Sequence, residues 1–408
     1  LIIITINKLV IYCIVTLTME VTKLFFITST LSFLFLAAYS APTPSRLIPV
    51  KSTYFLPTEN MAPSDINAEC FTHIFFAFLV PNNTTFTFDI TPDLDHSLQD
   101  FTSTLKAKNP QLRVLFSIGG GDIGPSLFSY MASNPDTRSA FIKSSIDVAR
   151  KYGFDGFDLD YEFPQNASDM ANLGQLLKEW RAAVKHEKRA AVKPEKRASG
   201  KKKQETLLIT AAVYYAADIS LSGPPRSYPA AQITKYLDWV NMMDYDLKGS
   251  WDTSATGEHA QLYDATGGNL SVSYGVDSWI QAGVPPHMLV MGLPLYGKTW
   301  ELKSNKVFEI GAPAVGVGPG ADGIMTYSEV VDFIKKKKKK VKVYYDNITV
   351  SMYAVASKDW IGYDDVPSVT AKLQYALDKK LRGYFFWTIP DDDKNWTISC
   401  TASNLWTG

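Results

Sequence analysis

From residue 47 onward, short runs rich in branched and aromatic side chains alternate with longer amphipathic stretches. The apolar runs occupy 47–55, 71–79, 112–120, 154–162, 207–215, 237–246, 288–297 and 381–389, and each has the length and composition of a buried strand. Between them lie helical patterns such as PDTRSAFIKSSIDVARKYG and ASDMANLGQLLKEWRAAV. Strand and helix in alternation call for a parallel sheet with helices outside. Eight such units predict an α/β fold, a closed (β/α)8 TIM barrel whose site lies at the C-terminal ends of the strands. A doubly wound open sheet is the alternative, disfavoured because no G-x-G-x-x-G follows the first strand. The last two strands stand about 85 residues apart, more than one helix needs. A small α+β insertion domain is therefore expected over 299–365, between strand 7 and helix 7, with the barrel made of 41–298 and 366–408.

One run breaks the apolar rule. Residues 154–164 read FDGFDLDYEFP, and on a strand Asp158, Asp160 and Glu162 share one face while Phe157, Leu159 and Tyr161 share the other. Three carboxyls along one buried face repel each other and resist desolvation, so stability alone does not favour them. On a barrel strand they would climb toward the catalytic mouth, with Glu162 outermost and its ionisation suppressed by its neighbours, as a general acid requires. Asp158 and Asp160 would share a proton beneath it. A calcium loop is a poor rival, because it wants flexible polar intervals and a glycine where this run has Leu159 and Tyr161. The five histidines lack metal-ligand spacing, and His73 inside FTHIFFAF reads as a core residue.

Composition narrows the setting. The 408 residues carry 41 basic and 41 acidic side chains, which gives no electrostatic reason to expect nucleic acid as a partner. Residues 19–40 have the charged start, apolar centre and small-residue cut site of a signal peptide, and this predicts a secreted or vacuolar protein. Residues 1–18 are expected to be an upstream segment, non-native or unprocessed; a membrane anchor running on into the signal is the competing reading. After signal removal no membrane association is expected. The mature chain would keep Cys70 and Cys400, enough for one bridge, though spacing does not say whether they meet. Sequons at Asn82, Asn83, Asn166, Asn269, Asn347 and Asn395 agree with secretion. The lysine run 335–340 reads as a solvated helix end. The near-duplicate octads at 181–188 and 189–196 read as a low-complexity expansion that Pro194 ends.

SIGGG (117–121), DGFDLDYE (155–162), MDYD (243–246), GLPLYG (292–297) and GYFFW (383–387), in that order, resemble glycoside hydrolase family 18, and most of all the plant class V chitinases. The resemblance implies a retaining mechanism in which the substrate's own acetamido group is the nucleophile, a family property already recognised as an exception to the two-carboxylate scheme. It assigns Glu162 as acid and base, Asp160 as the group that orients the acetamido, and Asp158 as its proton partner. Tyr245 would hydrogen-bond the acetamido oxygen, with Met243 and Asp246 in the same wall, and Trp387 would floor the minus-one sugar. Tyr54, Phe78, Tyr215 and Tyr296 would line the groove. The partner implied is chitin or N-acetylglucosamine oligosaccharides, with no cofactor or metal and a monomeric chain.

Three positions depart from the family pattern: Asp244 where a small residue is usual, Lys298 where arginine is frequent, and Gly121 where many members carry tryptophan. Asp244 should point outward between barrel and helices, where a charge needs a partner. Two other readings share the scaffold, a hydrolase of modified chitooligosaccharide signals and a catalytically silent glycan-binding lectin.

Overall fold

All eight apolar runs are strands, each slightly shorter than its run: β1 Val50–Phe55, β2 His73–Leu79, β3 Arg113–Gly119, β4 Gly156–Asp160, β5 Leu208–Tyr214, β6 Trp239–Met243, β7 Leu289–Pro294 and β8 Gly383–Trp387. Each pairs in parallel with its sequence neighbours, and β1 closes the barrel onto β8. The computed structural model describes residues 48–57, 61–191, 205–220 and 223–406. The signal-peptide reading (19–40), the upstream segment (1–18) and the octad end at Pro194 lie outside these residues. Among them, no helix is long and apolar enough to cross a membrane.

The helices are α1 Pro92–Lys108, α2 Ser126–Ser133, α3 Pro135–Tyr152, α4 Ala167–Ala191, α5 Ala230–Tyr236, α6 Val272–Gln281, α7 Tyr327–Lys337, α8 Val366–Asp378 and α9 Thr397–Leu405. Their ends aim the strands. Asn134 accepts the Asp136 N–H at the start of α3, where Pro135 has no N–H to satisfy, and Gly153 ends the helix in the left-handed conformation. That reversal sends the chain directly into β4. Asp155 then turns outward and binds Lys106 and the Val114 N–H at 2.9 Å each, so the fourth acid of the run serves the fold. Phe157 and Leu159 also face outward and are fully buried; the Phe157 ring stacks on Trp180 of α4 at 4.5 Å. Each contributes about 2–3 kcal/mol of burial. A slip by one residue would forfeit this, so the outward face holds the acids on the inward one.

Between β7 and β8 the chain builds an antiparallel sheet in the order Ala314–Val317, Tyr296–Leu302, Asp359–Tyr363, Ser351–Ala356, Lys342–Asp346, with Ile324–Thr326 also paired to Tyr296–Leu302. Helix α7 packs beside it and ends in Lys335–Lys337, where cations suit the helix C-terminus. Cys70 and Cys400 do meet, in a disulfide joining the residues before β2 to α9 with Cα atoms 5.1 Å apart. His73 is buried, its Nδ1 2.8 Å from the Thr72 hydroxyl, and burial lowers its pKa to about 3; it is a neutral core residue.

Candidate active site

The deepest acid is held by a layer of polar side chains that the barrel register brings level. Ser117, Asp158 and Thr210 are direct partners across β3, β4 and β5. Asp158 Oδ2 accepts from Tyr54 and Ser117, both at 2.8 Å, while Oδ1 accepts from Thr210 at 2.6 Å and Asn241 at 3.4 Å. Burial raises the Asp158 pKa while these four donors pull it back. Asn241 also donates to Tyr54 and accepts from Trp239. Ser117, Thr210 and Asn241 were not singled out in the sequence, although alternation along the SIGG, LITAAVY and WVNMM runs puts them on the inward face.

Both Asp158 oxygens are thus occupied by hydroxyl and amide donors, and the proton expected between Asp158 and Asp160 is instead one step higher. Asp160 is fully buried and shares a hydrogen bond with Glu162; burial, the Glu162 and Asp158 charges and that bond raise its pKa far above the usual range. Asp160 therefore holds the proton and Glu162 accepts. Glu162 lies just past the end of β4, partly buried. Burial raises its pKa to about 7, helped by the Asp246 and Asp122 charges and opposed by the bond from Asp160. Gly121 leaves room beside it, since a Cβ there would sit 3.4 Å from Glu162 Oε1.

Over these acids lies an aromatic cup. Trp387 at the end of β8 stacks on Phe78 at 5.6 Å and tilts against Tyr54 at 5.3 Å, and Met243 and Tyr245 belong to the same cluster. The Tyr245 hydroxyl has no protein partner among the described residues, while burial and the Asp160 and Glu162 charges keep it a neutral donor. The peptide bonds Ala77–Phe78, Glu162–Phe163 and Trp387–Thr388 are cis.

The wall beyond β6 is ionic. Asp246 Oδ1 accepts from Tyr296 at 2.8 Å and lies 3.0 Å from Lys298 Nζ. Burial pushes the Asp246 carboxyl up, but His259 and Lys298 outweigh it and hold it well below the usual carboxylate range. Lys298 Nζ also lies 5.7 Å over the ring of Trp251, a solvent-exposed tryptophan on the loop after β6 that was passed over because it lies outside every strand run.

Two expectations need correction. Tyr215 does not line the groove. Strand β5 ends at Tyr214, which shares the inward face with Thr210, and period two turns Tyr215 outward, where its hydroxyl donates to the Asn269 carbonyl at 3.0 Å. There it packs so closely on α6 that a Cβ on Gly275 would meet the Tyr215 carbonyl oxygen. Tyr214 takes its place, with its ring 5.4 Å from Phe163. Asp244 is fully buried as its outward position implies, yet its Oδ2 receives only the Gly292 N–H at 3.3 Å and its Oδ1 has no partner. Burial raises its pKa far above the usual range, against the weaker pull of the Gly292 N–H and the Lys372 charge, so the acid is accommodated by protonation and not by a paired cation.

Comparison with known proteins agrees with this geometry. The model of glycosyl hydrolases family 18 matches residues 51–393. Class V chitinase CHIT5b of Medicago truncatula is 44% identical over 357 residues, 88% of this chain and 90% of that protein. Nod factor hydrolase protein 1 of the same organism is also 44% identical, over 361 residues with 88% and 90% covered. Among solved structures, a class V chitinase from Nicotiana tobaccum in complex with NAG4 superposes with a TM-score of 0.80 at 38% identity, over 88% of this chain and 99% of that one. The chain belongs to glycosyl hydrolases family 18, and within it resembles the plant class V chitinases.

Proposed function

We propose that the protein is a secreted chitinase that hydrolyses β-1,4-linked N-acetylglucosamine polymers and oligomers with retention of configuration, using the substrate's acetamido group as nucleophile. The observation that carries the reading is the carboxyl stack itself: Asp160 and Glu162 hydrogen-bond each other on one face of β4, beside an unpartnered Tyr245 and beneath the aromatic cup that contains Trp387. A two-carboxylate retaining enzyme needs its acids about 5 Å apart, on either side of the sugar. Two carboxyls in contact leave no room for a ring between them, and Asp246 is tied to Tyr296 and Lys298.

In the proposed reaction a sugar rests its apolar face on Trp387. Protonated Glu162 gives its proton to the glycosidic oxygen as the acetamido oxygen attacks its own anomeric carbon, breaking the glycosidic bond and forming an oxazolinium ion. Asp160 turns its carbonyl oxygen to the acetamido N–H and orients the group, while Tyr245 donates to the acetamido oxygen. Glu162, now ionised, takes a proton from the water that reopens the ring. The Cys70–Cys400 bridge supports an oxidising compartment.

The test is digestion of N-acetylglucosamine oligomers by the protein and by Glu162→Gln. Cleavage by the first and not the second is expected; binding without cleavage by the unmodified protein would replace the enzyme with a lectin. Fully deacetylated oligomers should resist, and their hydrolysis would contradict substrate assistance. The equal likeness to a Nod factor hydrolase favours decorated chitooligosaccharides as a second substrate class, and their rate relative to the plain oligomer of equal length decides between them.

A further inference from the structure

The loops that follow β2 and β3 continue past the sugar floor and line a solvent-open pocket of about 650 Å³ on the same face of the barrel. One wall begins at Val80, two residues beyond Phe78 under Trp387; the other begins at Ile123, two residues beyond Gly121 beside Glu162. Tyr130 on α2 is its most prominent feature. This side chain is 65% exposed, and one face of its ring is backed by Phe86 at 5.7 Å with the planes 28° apart. Phe86 is itself buried, so the tyrosine is braced and presents its open side to solvent.

The lining contains no charged side chain, which gives a polyelectrolyte nothing to pair with. It is not simply greasy either. The Ser126 and Tyr130 hydroxyls and the Asn83 amide nitrogen have no partner among the described residues, and Asn83 Oδ1 is engaged only by the Thr84 hydroxyl. A braced aromatic plane ringed by uncharged donors suits a pyranose, whose C–H face stacks while its rim hydroxyls and acetamido group take the hydrogen bonds.

We propose that this pocket is an outlying sugar subsite, centred on Tyr130, that binds a distant unit of the same acetamido-sugar chain whose reacting unit lies over Trp387. The inference rests on the proposed chitinase reading for the identity of the chain, and on the pocket's own chemistry for its place. It makes affinity depend on oligomer length: a short oligomer fills the floor alone, and a long one also covers Tyr130.

The experiment measures calorimetric binding of N-acetylglucosamine trimer and hexamer to the full chain carrying Glu162→Gln, which prevents turnover, after enzymatic removal of N-glycans so that none at Asn82 or Asn83 occupies the pocket. Adding Tyr130→Ala should weaken the hexamer about tenfold, the scale of one lost stacking contact, and leave the trimer unchanged. Tyr130→Phe, which keeps the stacking plane and loses only the hydroxyl, should weaken the hexamer far less than Tyr130→Ala. Equal loss for both oligomers, or none for the hexamer, overturns the subsite; a thermal melt matching the parent shows that the exposed substitution has not disturbed the fold. Cleavage by the unmutated protein is scored separately, so a failed chitinase reading is recognised by absent cleavage and a failed subsite by length-independent binding.

Discussion

Replacing Glu162 by glutamine should do more than stop catalysis: it should make the protein more stable, and only at high pH. The Glu162 pKa rises from 4.5 unfolded to about 7 folded, so the folded state binds the extra proton. A raised acid of this kind contributes stability that is fully present below pH 4.5 and is lost as pH rises through 7. The shift corresponds to about 3 kcal/mol, reached once Glu162 is ionised in both states. Glutamine carries no charge at any pH, and it also relieves Asp160 of a neighbouring anion. The difference in melting temperature, glutamine variant minus parent, should therefore be small near pH 4, grow between 5 and 7, and level off above that. For a domain of this length the plateau is about 4 °C. Melts of both proteins by circular dichroism at half-unit pH steps give the curve. A difference that stays flat with pH would mean that Glu162 keeps an ordinary pKa, and the account of the acid ladder would fall with it.

Other outcomes follow from the same geometry. Asp160→Asn removes the carboxyl that donates to Glu162 and would orient the acetamido group; kcat on N-acetylglucosamine oligomers should fall by about 10²–10³ with KM nearly unchanged, and a loss confined to KM would contradict that role. Lys298→Met leaves the Asp246 charge less compensated, and because that charge raises the Glu162 pKa, the alkaline limb of kcat/KM should move to higher pH; an unmoved limb would show that Asp246 does not reach Glu162 electrostatically. Replacing Cys70 and Cys400 by serine opens a link across 330 residues, and urea unfolding should register a loss of about 6 kcal/mol on the loop-closure model; a midpoint shift worth under 1 kcal/mol would reject it.

The barrel was legible because eight apolar runs separated by helical patterns admit few arrangements, and the acid ladder because it defies the rule for buried strands. The misplacement of Tyr215 has a simple origin. Strand ends were placed by composition, which carried the fifth run through Tyr215, whereas alternation counted from Thr210 already sends Tyr214 inward. The polar layer around Asp158 went unseen for a different reason: Ser117, Thr210 and Asn241 come from three strands, and only the parallel register sets them level. The same holds for the Tyr130 pocket, whose two walls are joined by no motif.

Asp158 and Asp244 show why spacing alone does not assign charge. Both are fully buried aspartates near the same barrel. Asp158 meets four donors and Asp244 a single N–H. The inward position lies in a layer where neighbouring strands can each offer a hydroxyl or amide; at the outward one Lys372 acts only through its field, and the single hydrogen bond comes from backbone. An inward carboxyl can therefore be held by donors, as Asp158 is, whereas Asp160 and the outward Asp244, each with one unpartnered oxygen, are buried with their protons. The ladder of β4 works because period two places its acids on the face where Asp158 finds donors and Asp160 and Glu162 find each other, and leaves Phe157 and Leu159 to bear the packing that holds them there.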